Sequence, residues 1–207
     1  MTNAQDPVLD LVSARKGHFL LESGHHGDLW LDLESLSLHP RRAQILAAEL
    51  ALRLSEWHID AVCGPLVEGA FVGLMVALQL NVRFTYSERH ARPADGRLFP
   101  IAYRIPASLR AGLQGKRVAI VNDVINGGSA IRGTFADLQS CGAIVTGIGA
   151  LLVLGDSASA FAAANRVPLQ SVTVLPNNLW NPTECPLCRG GAPTEDVAGL
   201  QGARPSP

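Results

Sequence analysis

The chain has 207 residues, 47% of them hydrophobic and 17% charged, with 17 basic residues against 18 acidic ones. That even balance argues against a general nucleic-acid or membrane-surface binder, and no apolar run reaches the ~18 residues of a membrane span. Four cysteines, two of them (Cys63 and Cys141) inside apolar segments, and a start without a basic and then apolar leader lead to the expectation of a cytoplasmic protein without a disulfide framework.

Taken in chain order, residues 6–16 read as a short amphipathic helix. Extended pieces follow at 18–22 and 29–33, on either side of the polar bend Ser23-Gly-His-His-Gly-Asp28. Pro40 stands where a helix favours its first residue, and 43–57 carry apolar positions at helical spacing. Residues 59–63 form an apolar run that stops at Gly64-Pro65, as buried parallel strands do. A helix over 67–80, a strand over 82–86, a polar loop over 87–98 and an extended piece over 99–105 come next. The second half predicts strands at 117–121, 144–154 and 169–175, a turn at 122–129, and helices at 130–141 and 158–165. Strands alternating with helices imply a five- or six-stranded, mainly parallel sheet with helices on both faces, and the runs at 59–63 and 117–121 as its central strands. From Pro176 onward six Pro and four Gly mark a tail with little core of its own, in which Leu179-Trp180-Asn-Pro182 reads as an anchor onto the body.

The turn after the strand at 117–121 is the most informative segment. Asn122-Asp-Val-Ile-Asn-Gly-Gly-Ser-Ala130 sets a carboxylate, amides, two glycines and a hydroxyl between a strand and a helix. Ligands of open α/β sheets bind at the carboxyl ends of strands, and free N–H groups at a helix start accept phosphate where glycine permits close approach. Asp123 is placed to accept hydrogen bonds from ribose hydroxyls or to anchor a metal. The same residues also suit a plain strand-to-helix turn with a good N-cap. Neither a Walker A lysine nor G-x-G-x-x-G spacing is present.

This segment resembles the ribose-phosphate loop of the type I phosphoribosyltransferases, and Ala130-Ile-Arg132 is similar to their orotate branch. Val62-Cys-Gly-Pro-Leu-Val-Glu-Gly69 resembles the family's pyrophosphate loop, the bend at 23–28 its hood motif, and 86–96 the place of its mobile catalytic loop. The resemblance covers about residues 15–155 in collinear order. It implies a phosphoribosyltransferase-like α/β domain over 1–175 with a hood at about 15–38, followed by the tail at 176–207. It also implies transfer of a 5-phosphoribosyl group from 5-phosphoribosyl-1-pyrophosphate to a nitrogenous base, an orotate-like pyrimidine first among them, with Mg²⁺ and in a homodimer. Asp123, Arg89 and Arg92 would be the catalytic groups. Asn122, Asp123, Asn126, Gly127, Gly128, Ser129, Ala130, Glu68 and Gly69 would bind the donor, and Ser23, Gly24 and His25 the base.

The sequence departs from the family where the chemistry lies. Asn122 replaces the first loop acid and Asn126 the loop threonine; Glu68 and Glu22 stand where the family has lysines, and His25 where it has arginine. Only two lysines, Lys16 and Lys116, exist in the whole chain. Losing one positioned donor at a developing negative charge typically costs ~3–4 kcal/mol. A catalytically weak or inactive nucleotide-binding regulatory protein on the same fold is therefore the alternative.

Cys185-Pro-Leu-Cys188 has the spacing of half a zinc site, whose completion needs histidines from elsewhere or the same pair from a second copy. A disulfide or redox pair and an inert thiol pair are the other readings. His18, His39 and His58 read as structural or exposed, and His26 as a surface histidine.

Overall fold

The structure is a computed structural model, and it describes residues 8–33, 35–91 and 98–196. A 3-10 turn at Leu9–Leu11 leads into β1 (Ser13–Leu20), β2 (His26–Asp32), α1 (Ser35–Leu38) and α2 (Pro40–Leu54). Then come β3 (Ala61–Pro65), α3 (Glu68–Leu80), β4 (Arg83–Ala91), β5 (Ile101–Arg104) and α4 (Ala107–Arg110). The chain continues through β6 (Arg117–Ile125), α5 (Ser129–Ser140), β7 (Ile144–Leu154), α6 (Ser157–Ala164), β8 (Leu169–Leu175), β9 (Leu179–Trp180), α7 (Pro186–Arg189) and β10 (Glu195–Asp196).

The main sheet has six strands in the order β5-β4-β3-β6-β7-β8, parallel except for the antiparallel edge strand β5. The two runs read as central strands are its two central strands, and every residue of β3 is buried. From β3 the chain winds outward to β4 and from β6 the other way to β7 and β8, so the order reverses between β3 and β6. In such a sheet the crevice at the reversal, beyond the carboxyl ends of the strands, is where a ligand fits.

Helices cover both faces. Pro40 does open α2, whose buried residues Ala43, Leu46, Ala47, Leu50, Ala51 and Leu54 recur at helical spacing and pack with α3 on one face. Ile131, Phe135 and Leu138 of α5 pack on the other face with Ala158 and Ala162 of α6. Among the described residues no helix is long and apolar enough to cross a membrane.

Three local expectations are corrected. The amphipathic helix at 6–16 is instead a 3-10 turn and the start of β1, because residues 13–16 pair with 29–32 of β2. Strand β4 runs on to Ala91 where a polar loop was expected, paired with β5 through Glu88–Arg104 and Arg89–Tyr103. The turn after β6 is shorter than expected, since Asn122 to Ile125 still belong to the strand and pair with β7.

A second sheet, in the order β10-β1-β2-β9, stands over the crevice. Its two inner strands are the hood and its two outer ones come from the tail. β9 pairs antiparallel with β2 through His26–Trp180, and β10 pairs parallel with β1 through Phe19–Glu195.

Candidate active site

A cleft of about 400 Å³ lies at the reversal point, between the hood and the ends of β3 and β6. The loop after β3 contributes Glu68 and Gly69, the turn after β6 contributes Asn126 to Ala130, and the hood contributes Glu22 and Ser23. Arg89 and Tyr103 reach it from β4 and β5, and Asn122 and Asp123 from β6. Thus eleven of the residues singled out from the sequence line one cleft: Ser23, Glu68, Gly69, Arg89, Asn122, Asp123, Asn126, Gly127, Gly128, Ser129 and Ala130. Gly24 forms the hood bend at φ +79° beside it, and Arg92 lies outside the described residues.

The two ligand loops are held together by close approach. Asn122 donates to the Val124 carbonyl at 2.8 Å, and its Oδ1 occupies the space a Cβ on Gly69 would need. Gly127 likewise faces Ser23, whose Oγ stands where a Cβ would go. Gly128 precedes α5 at φ +85°, a conformation that favours glycine, and no side chain caps this helix. The first N–H groups of α5 therefore lack helical partners, and Ser129, Ala130 and Ile131 of this first turn line the cleft. Around the turn, Asn177 donates to Asn126 Oδ1 at 2.8 Å and Ser157 donates to the Gly127 carbonyl at 3.0 Å.

Two buried polar atoms in the cleft have no hydrogen-bond partner, Asp123 Oδ2 and Ser129 Oγ. Asp123 is 4% exposed. Burial raises its carboxyl to about 7, backbone N–H groups oppose the rise, and the nearby Glu68 carboxylate adds to it. A buried polar atom without a partner costs ~1–3 kcal/mol, so a hydrogen-bonding group placed at either atom would relieve that cost.

Hood and sheet are bridged by Glu22. It accepts from Arg89 Nε at 2.8 Å and from the Tyr103 hydroxyl at 2.9 Å. Burial, and then this carboxylate, push the Tyr103 phenol upward. The pairing of Glu22 with Arg89 was not legible in the sequence, since the two residues are 67 positions apart.

Behind the turn, the Arg132 guanidinium lies 4.7 Å from the Phe99 ring centre and 4.6 Å from that of Phe161. His25 meets Phe99 edge-on at 5.6 Å, and its Nδ1 is 3.0 Å from Ser23 Oγ. Burial, and then the Arg132 charge, lower the His25 imidazole below its usual range. Arg132 Nε is another buried atom without a partner. The sequence marked Arg132 only as the end of the Ala130-Ile-Arg132 match, and its place three residues beyond Ser129 sets both on one side of α5. His25 lines a second, smaller cavity with Gly155, Ser157, Asn177 and Trp180.

Cys185 and Cys188 sit away from this cleft, on the outer side of the hood against His18 and His26. His26 is 9% exposed, so it is not the surface histidine expected. Burial by the tail strands is the reason.

No family model matches the chain. It is 32% identical over 181 residues to the orotate phosphoribosyltransferase of Caldanaerobacter subterraneus, covering 86% of each chain. It is 30% identical to that of a Thermoanaerobacter species, covering 91% of this chain and 94% of the relative. Among solved structures, the orotate phosphoribosyltransferase of Aeropyrum pernix superposes with TM-score 0.58 at 26% identity, over 78% of this chain and 88% of that one. The adenine phosphoribosyl transferase of Trypanosoma brucei shares the fold, with TM-score 0.63 at 15% identity over 81% and 77%. With that identity sustained along most of its length, on a sheet whose reversal point holds the glycine turn and its carboxylate, this chain belongs to the type I phosphoribosyltransferase family.

Proposed function

We propose that the protein transfers a 5-phosphoribosyl group from 5-phosphoribosyl-1-pyrophosphate to an orotate-like pyrimidine, releasing pyrophosphate. The observation that carries this reading is the pair of orphaned atoms, Asp123 Oδ2 and Ser129 Oγ, on either side of the turn. A sugar phosphate satisfies both: ribose hydroxyls donate to Asp123, and the 5′-phosphate accepts from Ser129 and the backbone N–H groups of residues 127–130. The relatives' activity supports orotate as the base, and the half-buried Arg132 cation beside Phe99 and His25 suits a planar anionic ring.

Mg²⁺ fits the donor set. Two carboxylates, Asp123 and Glu68, lie close enough that one raises the other's affinity for protons, and they are hard oxygen donors of the kind that divalent ions and their bound waters engage. Bound with the donor, Mg²⁺ supplies neutralisation of the diphosphate as its bond to the sugar breaks. Arg89 adds a cation at the same place once it leaves Glu22. As the bond from the sugar carbon to the diphosphate oxygen breaks, its electron pair leaves with the diphosphate, and as the bond to the ring nitrogen forms that nitrogen gives up its proton to the medium. Asp123 keeps the ribose oriented meanwhile and the hood excludes water.

The reading includes a homodimer in the cytoplasm. Phe71, Leu74 and Leu78 expose apolar surface along α3, and Ile45 and Leu52 along the neighbouring α2, which suits a second copy.

The second reading, a binding protein without turnover, is favoured by the pairing of Arg89 with Glu22, which offsets the cation that β4 brings to the cleft. Calorimetric titration with the donor and with nucleoside 5′-monophosphates, each with and without Mg²⁺, followed by an assay for released pyrophosphate, separates the two. Mg²⁺-dependent donor binding with pyrophosphate release is expected. Tight monophosphate binding without either would establish the second reading.

A further inference from the structure

We propose that His18, His26, Cys185 and Cys188 bind one zinc ion that fastens the tail to the hood. One donor atom from each of the four lies within 4.8 Å of all the others. His18 Nε2 is 2.8 Å from His26 Nδ1, 3.5 Å from Cys185 Sγ and 3.6 Å from Cys188 Sγ. Cys188 Sγ is 3.2 Å from His26 Nδ1. In a tetrahedral zinc site with bonds of ~2.3 Å to sulfur and ~2.0–2.1 Å to nitrogen, neighbouring N and S ligands stand about 3.5 Å apart and two N ligands about 3.3 Å. The N–S separations here scatter around that value, and the two imidazoles need to part by only about half an ångström.

The imidazole orientation of His18 is already set. Its Nδ1 lies 2.9 Å from the Ala192 carbonyl and 3.2 Å from Thr194 Oγ1, so the proton belongs on Nδ1 and the lone pair on Nε2, toward the cluster. A histidine that ligates a metal typically donates its other N–H to such a carbonyl. Both cysteines are free thiols, Cys185 fully buried. Proline follows Cys185, and the short α7 turns the chain so that Cys188 comes back to the same point. Two thiolates and two neutral imidazoles around Zn²⁺ make a net neutral unit, which suits a place where His18 and Cys185 are buried and only Cys188 is exposed. Sulfur and imidazole donors at tetrahedral spacing select zinc over Mg²⁺ or Ca²⁺. Four protein ligands leave no position for a substrate, so the ion is structural.

Its placement gives it a task. His18 and His26 bracket the hood bend that carries Glu22, Ser23 and His25, whereas both cysteines come from the tail. The ion therefore joins segments 167 positions apart and fixes the lid of the cleft from behind.

Metal analysis of the full chain, purified and desalted under reducing conditions, tests this, with cobalt substitution as a second measurement on the unaltered protein. One equivalent of zinc is expected, along with the intense visible absorption that tetrahedral cobalt shows with thiolate ligands. Cys188→Ser, at the exposed ligand, should lose at least about nine-tenths of the bound metal, and Cys141→Ser should keep it all. A reduced chain that retains no zinc after equilibration with one equivalent would overturn the proposal. So would a Cys188→Ser variant as metal-rich as the parent, or a Cys185–Cys188 disulfide in protein handled without oxidant. These readouts do not depend on the cleft's activity, so they stand or fall separately from the proposed transfer reaction.

Discussion

Glu22, at the hood bend, accepts a 2.8 Å hydrogen bond from Arg89 of β4 across the mouth of the cleft. The pair is partly exposed, so its free energy is of the order of 0.2–1 kcal/mol. It nevertheless decides which anion Arg89 serves. On the proposed reading, a diphosphate entering the cleft takes the guanidinium from a carboxylate that already holds it.

Glu22→Gln should therefore strengthen donor binding by about 1.5- to 5-fold, the range those energies convert to. Arg89→Ala should weaken it. Titration calorimetry at fixed Mg²⁺ measures both. Weaker binding in Glu22→Gln would mean that the carboxylate aims Arg89 at the donor rather than competing for it.

The Asp123 carboxyl should make the free protein less stable as pH rises. Folded, it keeps its proton up to about 7; unfolded, it releases it near 3.8. The folded state therefore holds the extra proton over that interval, and stability falls from about pH 4 to about pH 7 and levels off above. Asp123→Asn removes the effect. The melting temperature of the variant minus that of the parent should be near zero at pH 4 and rise to a plateau above pH 7. Glu68→Gln should move the midpoint of that rise to lower pH, since the Glu68 charge is one cause of the shift. A flat difference across the range would show that Asp123 is solvated.

A carbon added to Gly127 has to displace Ser23. Gly127→Ala should prise the hood from the phosphate turn, costing ~1–3 kcal/mol of stability. Binding of a nucleoside 5′-monophosphate should weaken at least about fivefold on that free-energy scale. Ser129→Asp should abolish it by setting a carboxylate in the cradle. Unchanged monophosphate affinity in both variants would place the phosphate elsewhere.

Arg132 lies over both Phe99 and Phe161, where a planar guanidinium can stack and an ammonium cannot. Arg132→Lys keeps the charge but loses the stacking, ~0.5–2 kcal/mol. The KM for orotate should rise while that for the donor stays within about twofold, a fraction of that energy. Steady-state kinetics with each substrate varied in turn checks this. An equal rise in both would assign Arg132 to the frame of α5 instead.

The exposed apolar stripe on α3 predicts self-association. Leu78 is 72% exposed, so Leu78→Glu should leave the fold intact and shift the chain from dimer to monomer in sedimentation. A parent protein that sediments as a monomer at micromolar concentration would remove the homodimer from the reading.

Much of the main domain was legible because its signals are local. The apolar runs at β3 and β6, the helical spacing of α2 and the glycine turn at 126–129 each reflect one segment's need to bury a face or bind through its own backbone. The predicted limits 144–154 and 169–175 are those of β7 and β8. The hood was harder to read. Residues 13–16 have an amphipathic pattern that suits a helix, but β1 is a strand because β2 pairs along one side of it and β10, some 175 positions later, along the other. Hydrogen bonds between distant strands leave no trace in a short window of sequence. The same holds for the tail: its Pro and Gly content marked a segment without its own core, yet Cys185 is fully buried because hood and tail cover one another. Sequence spacing could pair Cys185 with Cys188, since a three-residue turn is local. Only the folded chain could add His18 and His26, set Glu22 on Arg89, and leave Asp123 Oδ2 buried without a partner, because each depends on side chains brought together by the closing of one sheet over the other.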